Sequence, residues 1–136
     1  CKLPRDAEGY MGRLRCVQEI SAVTAACMMV KTSVFKAVGG FDEELKVAFN
    51  DIDFCMKLRK AGYLIVYNPY AELYHYESKS RGMEDTPEKQ LRFSREVNCF
   101  RRKWERELLK GDPYYNPNLT LNNTDCSLRK QEKNGD

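Results

Sequence analysis

The sequence predicts an α/β fold: a small mixed sheet, helices packed on it, and a long helix towards the C-terminus. Three observations carry this expectation. A continuous run of small and β-branched apolar residues, "SAVTAACMMV" at 21–30, has the pattern of a strand buried on both faces. Two segments, 51–62 and 86–111, repeat apolar residues at helical spacing between start and stop signals. Between them "YLIVYN" and "AELYHYE", separated by Pro69, are rich in the aromatic and β-branched residues of strands.

Taken in order, the first twenty residues contain Gly9 and Gly12 and little periodicity, which predicts a poorly defined entry. The start at Cys1 rather than Met suggests an excised or processed fragment. After the apolar run, "KTSVFKAVGG" predicts a short helix capped by Thr32 or Ser33 and stopped by Gly39 and Gly40, and "FDEEL" follows as an acidic turn. The next helix sets Ile52, Cys55, Met56 and Arg59 on one face and Phe54, Leu58 and Ala61 on a neighbouring one. Its acids, Asp51 and Asp53, lie at the start and its bases, Lys57, Arg59 and Lys60, near the end, matching the helix dipole, with Gly62 as stop.

Beyond the two strands, "SKSRGMEDT" is polar and predicts a loop. Thr86 and Pro87 are a good N-cap and first position for a helix that runs to about Lys110 and stops at Gly111. Phe93, Val97, Phe100, Trp104 and Leu108 form one apolar stripe along it, the pattern of a core-facing surface. Residues 112–136 are rich in Asn and weakly periodic, so the chain divides into a body, 1–111, and an extended tail that packs on the body and then frays. About four strands are available in all, which is thin for a complete nucleotide-binding enzyme.

The totals narrow the function. At 136 residues, 42% hydrophobic and 32% charged, the chain suits one soluble domain, and a net charge of +3 provides no field that would favour nucleic acid or an anionic membrane. Cys1, Cys16, Cys27, Cys55, Cys99 and Cys126 include no C-x-x-C pair, which predicts reduced, core-filling thiols in a cytosolic protein. No signal peptide and no apolar run of about 18 residues is present, so no transmembrane segment is expected.

"FNDID" at 49–53 is the first candidate for chemistry. Two residues apart on a helix, Asp51 and Asp53 diverge by roughly 200°, so only one can face a given site. A carboxylate at a helix N-terminus suits a general base, because the dipole and free N–H groups favour its unprotonated form. Asn50 or Asp51 could equally be a simple cap, and spacing alone favours that role, with Asp53 as helix support. His75, the only histidine, falls at a strand-to-loop exit where ligands collect. Ser78, Lys79, Ser80 and Arg81 after it could bind phosphate oxygens or simply form a solvated loop.

Residues 23–82, from "VTAACMMV" through "GGFDEE", "FNDIDFCMKLRKAG" and "YHYESKSRG", resemble the C-terminal half of the catalytic domain of family 2 glycosyltransferases, the inverting GT-A enzymes, especially bacterial rhamnosyltransferase-like members. "DPYYNPNLTL" at 112–121 resembles the tail of that subgroup. The resemblance implies a partial GT-A fold, with Asp51 as the base that deprotonates the acceptor hydroxyl. It implies His75 as a ligand of Mg²⁺ or Mn²⁺, the loop Ser78, Lys79, Ser80 and Arg81 at the donor diphosphate, and Gly40, Asp42 and Glu43 on the acceptor side. The partners would be a nucleotide-sugar donor and a glycan or lipid-linked acceptor in cell-surface polysaccharide synthesis, in the cytoplasm or peripherally at the inner face of the membrane.

The nucleotide-binding N-terminal half of that family, with its D-x-D motif, has no counterpart before Asp51. The chain is therefore expected to be an acceptor-side fragment that is inactive alone. The rival expectation is a non-catalytic glycan- or partner-binding module derived from such a half. A nucleotide-responsive regulatory domain would rest only on the basic loop, since no Gly-rich phosphate loop accompanies it.

Overall fold

The computed structural model of the chain describes residues 6–74, 86–123 and 126–129. Three helices form where the sequence places them: α1 (Thr32–Ala37), α2 (Asn50–Lys60) and α3 (Pro87–Leu109). Their signals are local, and they survive in the fold. Thr86 accepts a hydrogen bond from the Lys89 amide at 3.4 Å and Pro87 occupies the first turn, so α3 begins as its sequence dictates and extends for about 35 Å. α1 differs in one detail. Its N-cap is Lys31, which has no side-chain capping bond, so Thr32 and Ser33 lie inside the first turn rather than before it.

The stop after α1 does need glycine. At Gly40 the backbone takes φ 59°, and a Cβ there would stand 2.8 Å from the Phe35 ring. The Gly40 amide closes the helix by bonding the Phe35 carbonyl at 2.9 Å.

The sheet is smaller than the sequence predicts. β1 (Gln18–Glu19) pairs antiparallel with β2 (Val66–Tyr67) in the register Gln18 to Tyr67 and Glu19 to Val66, and the Ile20 amide extends the ladder to the Ile65 carbonyl at 3.0 Å. Two-residue strands are all that "YLIVYN" supplies, and residues 71–74 form no strand, with Leu73 and Tyr74 exposed. Nor is 21–30 a buried strand. Its middle is a 3-10 turn, Ala25–Cys27, begun by Thr24, whose hydroxyl accepts from the Ala26 amide, and Met29 is 98% exposed. A doubly buried strand needs hydrogen-bonded neighbours and cover on each side, and among the described residues no strand pairs with 21–30.

Near the start of the chain there is more order than expected. A 3-10 segment, Tyr10–Arg15, interrupted at Met11 and Gly12 by positive φ, leads into β1. Gln18 bonds the Arg13 carbonyl and Tyr67 the Leu14 carbonyl, which fastens this segment to the sheet.

Two apolar clusters flank α2. Phe54, Cys55, Leu58 and Ile65 form the first, and Ile20, Val23, Met28, Val30, Val34, Phe35 and Val38 pack against it. The rings of Phe35, Phe41 and Phe54 meet at centroid distances of 5.1 to 5.5 Å. The second joins Leu45, Phe100 and Trp104 with Phe49, Met56 and Cys99, and ties α3 to the other side of α2. Of the predicted α3 stripe, Phe100 and Trp104 are buried, whereas Phe93 and Leu108 lie at its exposed margin.

The described cysteines are all free, but only Cys55 is fully buried; Cys16 and Cys27 are exposed, so core-filling is the wrong description for those two. Residues 112–120 dock on the body. Asp112 accepts from Ser21, Tyr114 donates to Glu19 at 3.1 Å, and Leu119 and Thr120 are buried. No helix among the described residues is long and apolar enough to cross a membrane.

Candidate functional site

The N-terminus of α2 is built from an unusual entry. Phe49 is its N-cap, in the left-handed conformation (φ 64°, ψ 2°), and no side chain caps the helix. The Phe49 carbonyl accepts the Asp53 amide at 2.8 Å, which places Asn50 and Asp51 in the first turn rather than at the cap. Asp51 is half-buried, and both of its oxygens are located by backbone. Oδ1 accepts from the Ile52 amide at 2.9 Å, and Oδ2 accepts from the Ala25 amide, in the 3-10 turn, at 3.2 Å. The carboxylate thus bridges α2 and the segment 24–27 at the surface, each oxygen keeping a second lone pair in which a proton could be accepted.

Asp53, a residue expected only to support the helix, is instead the centre of a buried charge network. It is 0% exposed. Its Oδ1 accepts from Trp104 Nε1 at 2.8 Å and from Lys103 Nζ at 2.7 Å. Lys57 Nζ lies 3.2 Å from Oδ2 but directs its N–H to the Gly40 carbonyl at 3.0 Å, so its hold on Oδ2 is coulombic rather than a directed hydrogen bond. The same Lys103 also binds Asp42. Three parts of the chain, the turn at 40–42, α2 and α3, are fastened through one carboxylate.

The electrostatics follow from these contacts. The hydrogen bond from Lys103, with a second from the Glu44 amide, holds Asp42 below the usual carboxylate range. Burial works against the charge on Lys103, but the hydrogen bonds to Asp42 and Asp53 outweigh it and raise its pKa. Burial also pushes the thiols of Cys55 and Cys99 up, the latter helped by its bond to Glu44, so neither is an activated nucleophile.

Of the residues proposed for the acceptor side, Gly40 and Asp42 are brought into the Asp53 network, while Glu43 points to solvent. Asp51 belongs to a different face of α2. His75, Ser78, Lys79, Ser80 and Arg81 lie outside the described residues. Among the described residues, no three His, Cys, Asp or Glu side chains come together in a way that could hold a metal ion, so these residues alone do not fit Mg²⁺ or Mn²⁺.

Glu96 was not foreseen as a polar anchor. It is 3% exposed and accepts from the amides of Val47 and Ala48, just before the left-handed Phe49. A signal was present: position 96 falls three after Phe93 and four before Phe100, on the face of α3 that is otherwise apolar. The role of Asp53 had a weaker one, its i,i+4 spacing to Lys57.

Comparison with known proteins places the chain beside larger ones. It is 55% identical over 126 residues to "Uncharacterized protein y4gI" of Sinorhizobium fredii, covering 92% of this chain and 14% of that protein. It is 38% identical over 115 residues to the O-antigen biosynthesis protein RfbC of Myxococcus xanthus, covering 85% of this chain and 9% of that one. Over 62 residues it is 40% identical to the N-acetylglucosaminyl-diphospho-decaprenol L-rhamnosyltransferase of Mycobacterium tuberculosis, covering 46% of this chain and 20% of that enzyme. The chain therefore spans a fifth or less of the length of each of these relatives. No family model and no solved structure matches it.

Proposed function

We propose that this chain is the acceptor-side part of an inverting, nucleotide-sugar-dependent glycosyltransferase of family 2 type with a GT-A fold, acting in cell-surface polysaccharide synthesis, and that Asp51 is its general base. The observation that supports it most is the position of Asp51: a carboxylate at a helix N-terminus, fixed by two backbone amides, at the surface rather than in the core. Similarity to proteins named for O-antigen synthesis and rhamnosyl transfer supports the reaction class.

In the proposed reaction the acceptor hydroxyl oxygen forms a bond to the anomeric carbon from the face opposite the nucleotide. The bond from that carbon to the diphosphate breaks, and its electron pair leaves with the diphosphate. Asp51 takes the hydroxyl proton, which raises the nucleophilicity of the oxygen as the bond forms. The Ile52 and Ala25 amides hold the carboxylate so that its orientation is set before the acceptor arrives. Glu43, exposed within the 40–45 turn that Gly40 and Asp42 help to shape, would meet the acceptor.

Ser78, Lys79, Ser80 and Arg81 would contact the donor diphosphate. Mg²⁺ or Mn²⁺ would neutralise charge on that diphosphate when bound, held by His75 together with carboxylates from outside the described residues. The setting would be cytoplasmic, or peripheral at the inner face of the membrane.

The test is Asp51→Asn in the full-length protein: sugar transfer is lost and nucleotide binding is retained. Turnover in that variant would remove Asp51 from the role of base. The isolated 136-residue chain is expected to be inactive, and transfer by it would overturn its assignment as one part of the catalytic domain. A second reading, a non-catalytic glycan- or partner-binding module, draws on the fact that both Asp51 oxygens already accept backbone amides, as a purely structural carboxylate would.

A further inference from the structure

We propose that Glu96, on α3, is a positioning residue that aims Asp51, a role that rests on Asp51 being the general base. Phe49 is a bulky residue in the left-handed region, which L side chains occupy only when their surroundings enforce it. Here a single face of α3 does the enforcing. The Phe49 ring stacks on Phe100 at 5.0 Å and 19°, and meets Phe93 at 5.9 Å. Between those two aromatics Glu96 takes the Val47 amide on one oxygen at 3.2 Å and the Ala48 amide on the other at 2.9 Å.

A carboxylate with 3% exposure is a costly way to fill an apolar seam unless its hydrogen bonds are specific. These bonds fix the two residues that precede the left-handed one. The Phe49 carbonyl then starts α2 through the Asp53 amide, and Asp51 follows two residues later. Residues 93, 96 and 100 therefore form a mould for 47–49, and the direction of the Asp51 carboxylate is the output of that mould. Asp51 would keep its chemistry without Glu96 but lose its aim.

The experiment uses the full-length protein, with Glu96→Gln, Glu96→Ala and Asp51→Asn. Glu96→Ala is expected to lower kcat per folded molecule by about 100-fold, the scale of a misplaced catalytic group, with the donor KM held within about twofold. Glu96→Gln, which keeps one carbonyl acceptor, should fall between Glu96→Ala and the parent, and it carries the test if Glu96→Ala does not fold. The Val47 and Ala48 amides should exchange faster in either variant. Unchanged kcat in folded Glu96→Gln, with Asp51→Asn inactive, would overturn the positioning role and leave the base intact. Turnover in Asp51→Asn would overturn both.

Discussion

Trp104 donates its indole N–H to Asp53 at 2.8 Å across fifty-one positions of sequence, in a place where the carboxylate has no exposure to solvent. α3 leaves regular helical geometry at this same residue (φ −115°, ψ 20°). Charge as well as apolar area thus joins α2 to α3 at this point, and Lys103 and Lys57 supply the opposite sign.

Removing that carboxylate leaves Lys57 without its ion-pair partner and Lys103 with Asp42 alone, and it strips the Trp104 indole of its acceptor. Asp53→Ala should destabilise the fold by about 3 kcal/mol, the low end for breaking a buried pair, since both lysines retain some access to water. Trp104→Phe deletes the indole N–H together with the five-membered ring, so a cavity adds to the lost hydrogen bond, at about 2–4 kcal/mol. Denaturant midpoints in the parent and both variants measure this, and an Asp53→Ala midpoint equal to that of the parent would contradict it.

The Asp42–Lys103 pair makes stability depend on pH at two ends. Asp42 has a depressed pKa when folded, so its contribution is complete above the unfolded value near pH 4 and fades as pH falls further. Lys103 has a raised one, so its contribution is complete below about pH 10 and fades as pH rises through its folded value. Asp42→Asn should flatten the acid limb of a thermal-midpoint profile; an acid limb identical to the parent's would show that other carboxylates govern it.

Gly39 and Gly40 both have positive φ, yet they should differ on substitution. An added Cβ at Gly39 meets open space, while at Gly40 it meets the Phe35 ring at 2.8 Å. Gly39→Ala should cost about 1 kcal/mol for the backbone alone, and Gly40→Ala clearly more because Phe35 must also move. Equal melting temperatures for the two variants would show that Phe35 yields freely.

Thiol labelling should sort the described cysteines by access and thiolate content. Cys16 and Cys27, both exposed, should react with iodoacetamide in the native state. Cys55, buried and with its thiol pushed up by burial, should react only on unfolding. Mass spectrometry after a timed pulse reads this directly, and early modification at Cys55 would mean that the α2 core opens far more often than its packing suggests.

The helices were legible because a helix is specified within itself. Thr86, Pro87 and Gly111 mark α3, and the spacing from Phe93 to Trp104 gives its inner face. Strands are not specified that way. The run 21–30 has the composition of a central strand, but pairing depends on a neighbour, and the described residues provide only β1 and β2. The candidate site divides along the same line. Asp51 stood out as an acid at a helix start, whereas the meeting of Asp53, Trp104 and Lys103 depends on how α3 crosses α2, which no local pattern encodes.

The docking of residues 112–114 carries a kinetic consequence. The bonds from Ser21 to Asp112 and from Tyr114 to Glu19 span 91 and 95 positions, so nearly the whole described chain is a loop that must close before either forms. Closure entropy rises with loop length, and contacts this distant are favoured only after the intervening elements have shortened the effective path. The helices and the α2–α3 seam should therefore be in place before 112–114 finds Glu19 and Ser21, which makes this docking a late event in folding and an early one to be lost as the protein unfolds.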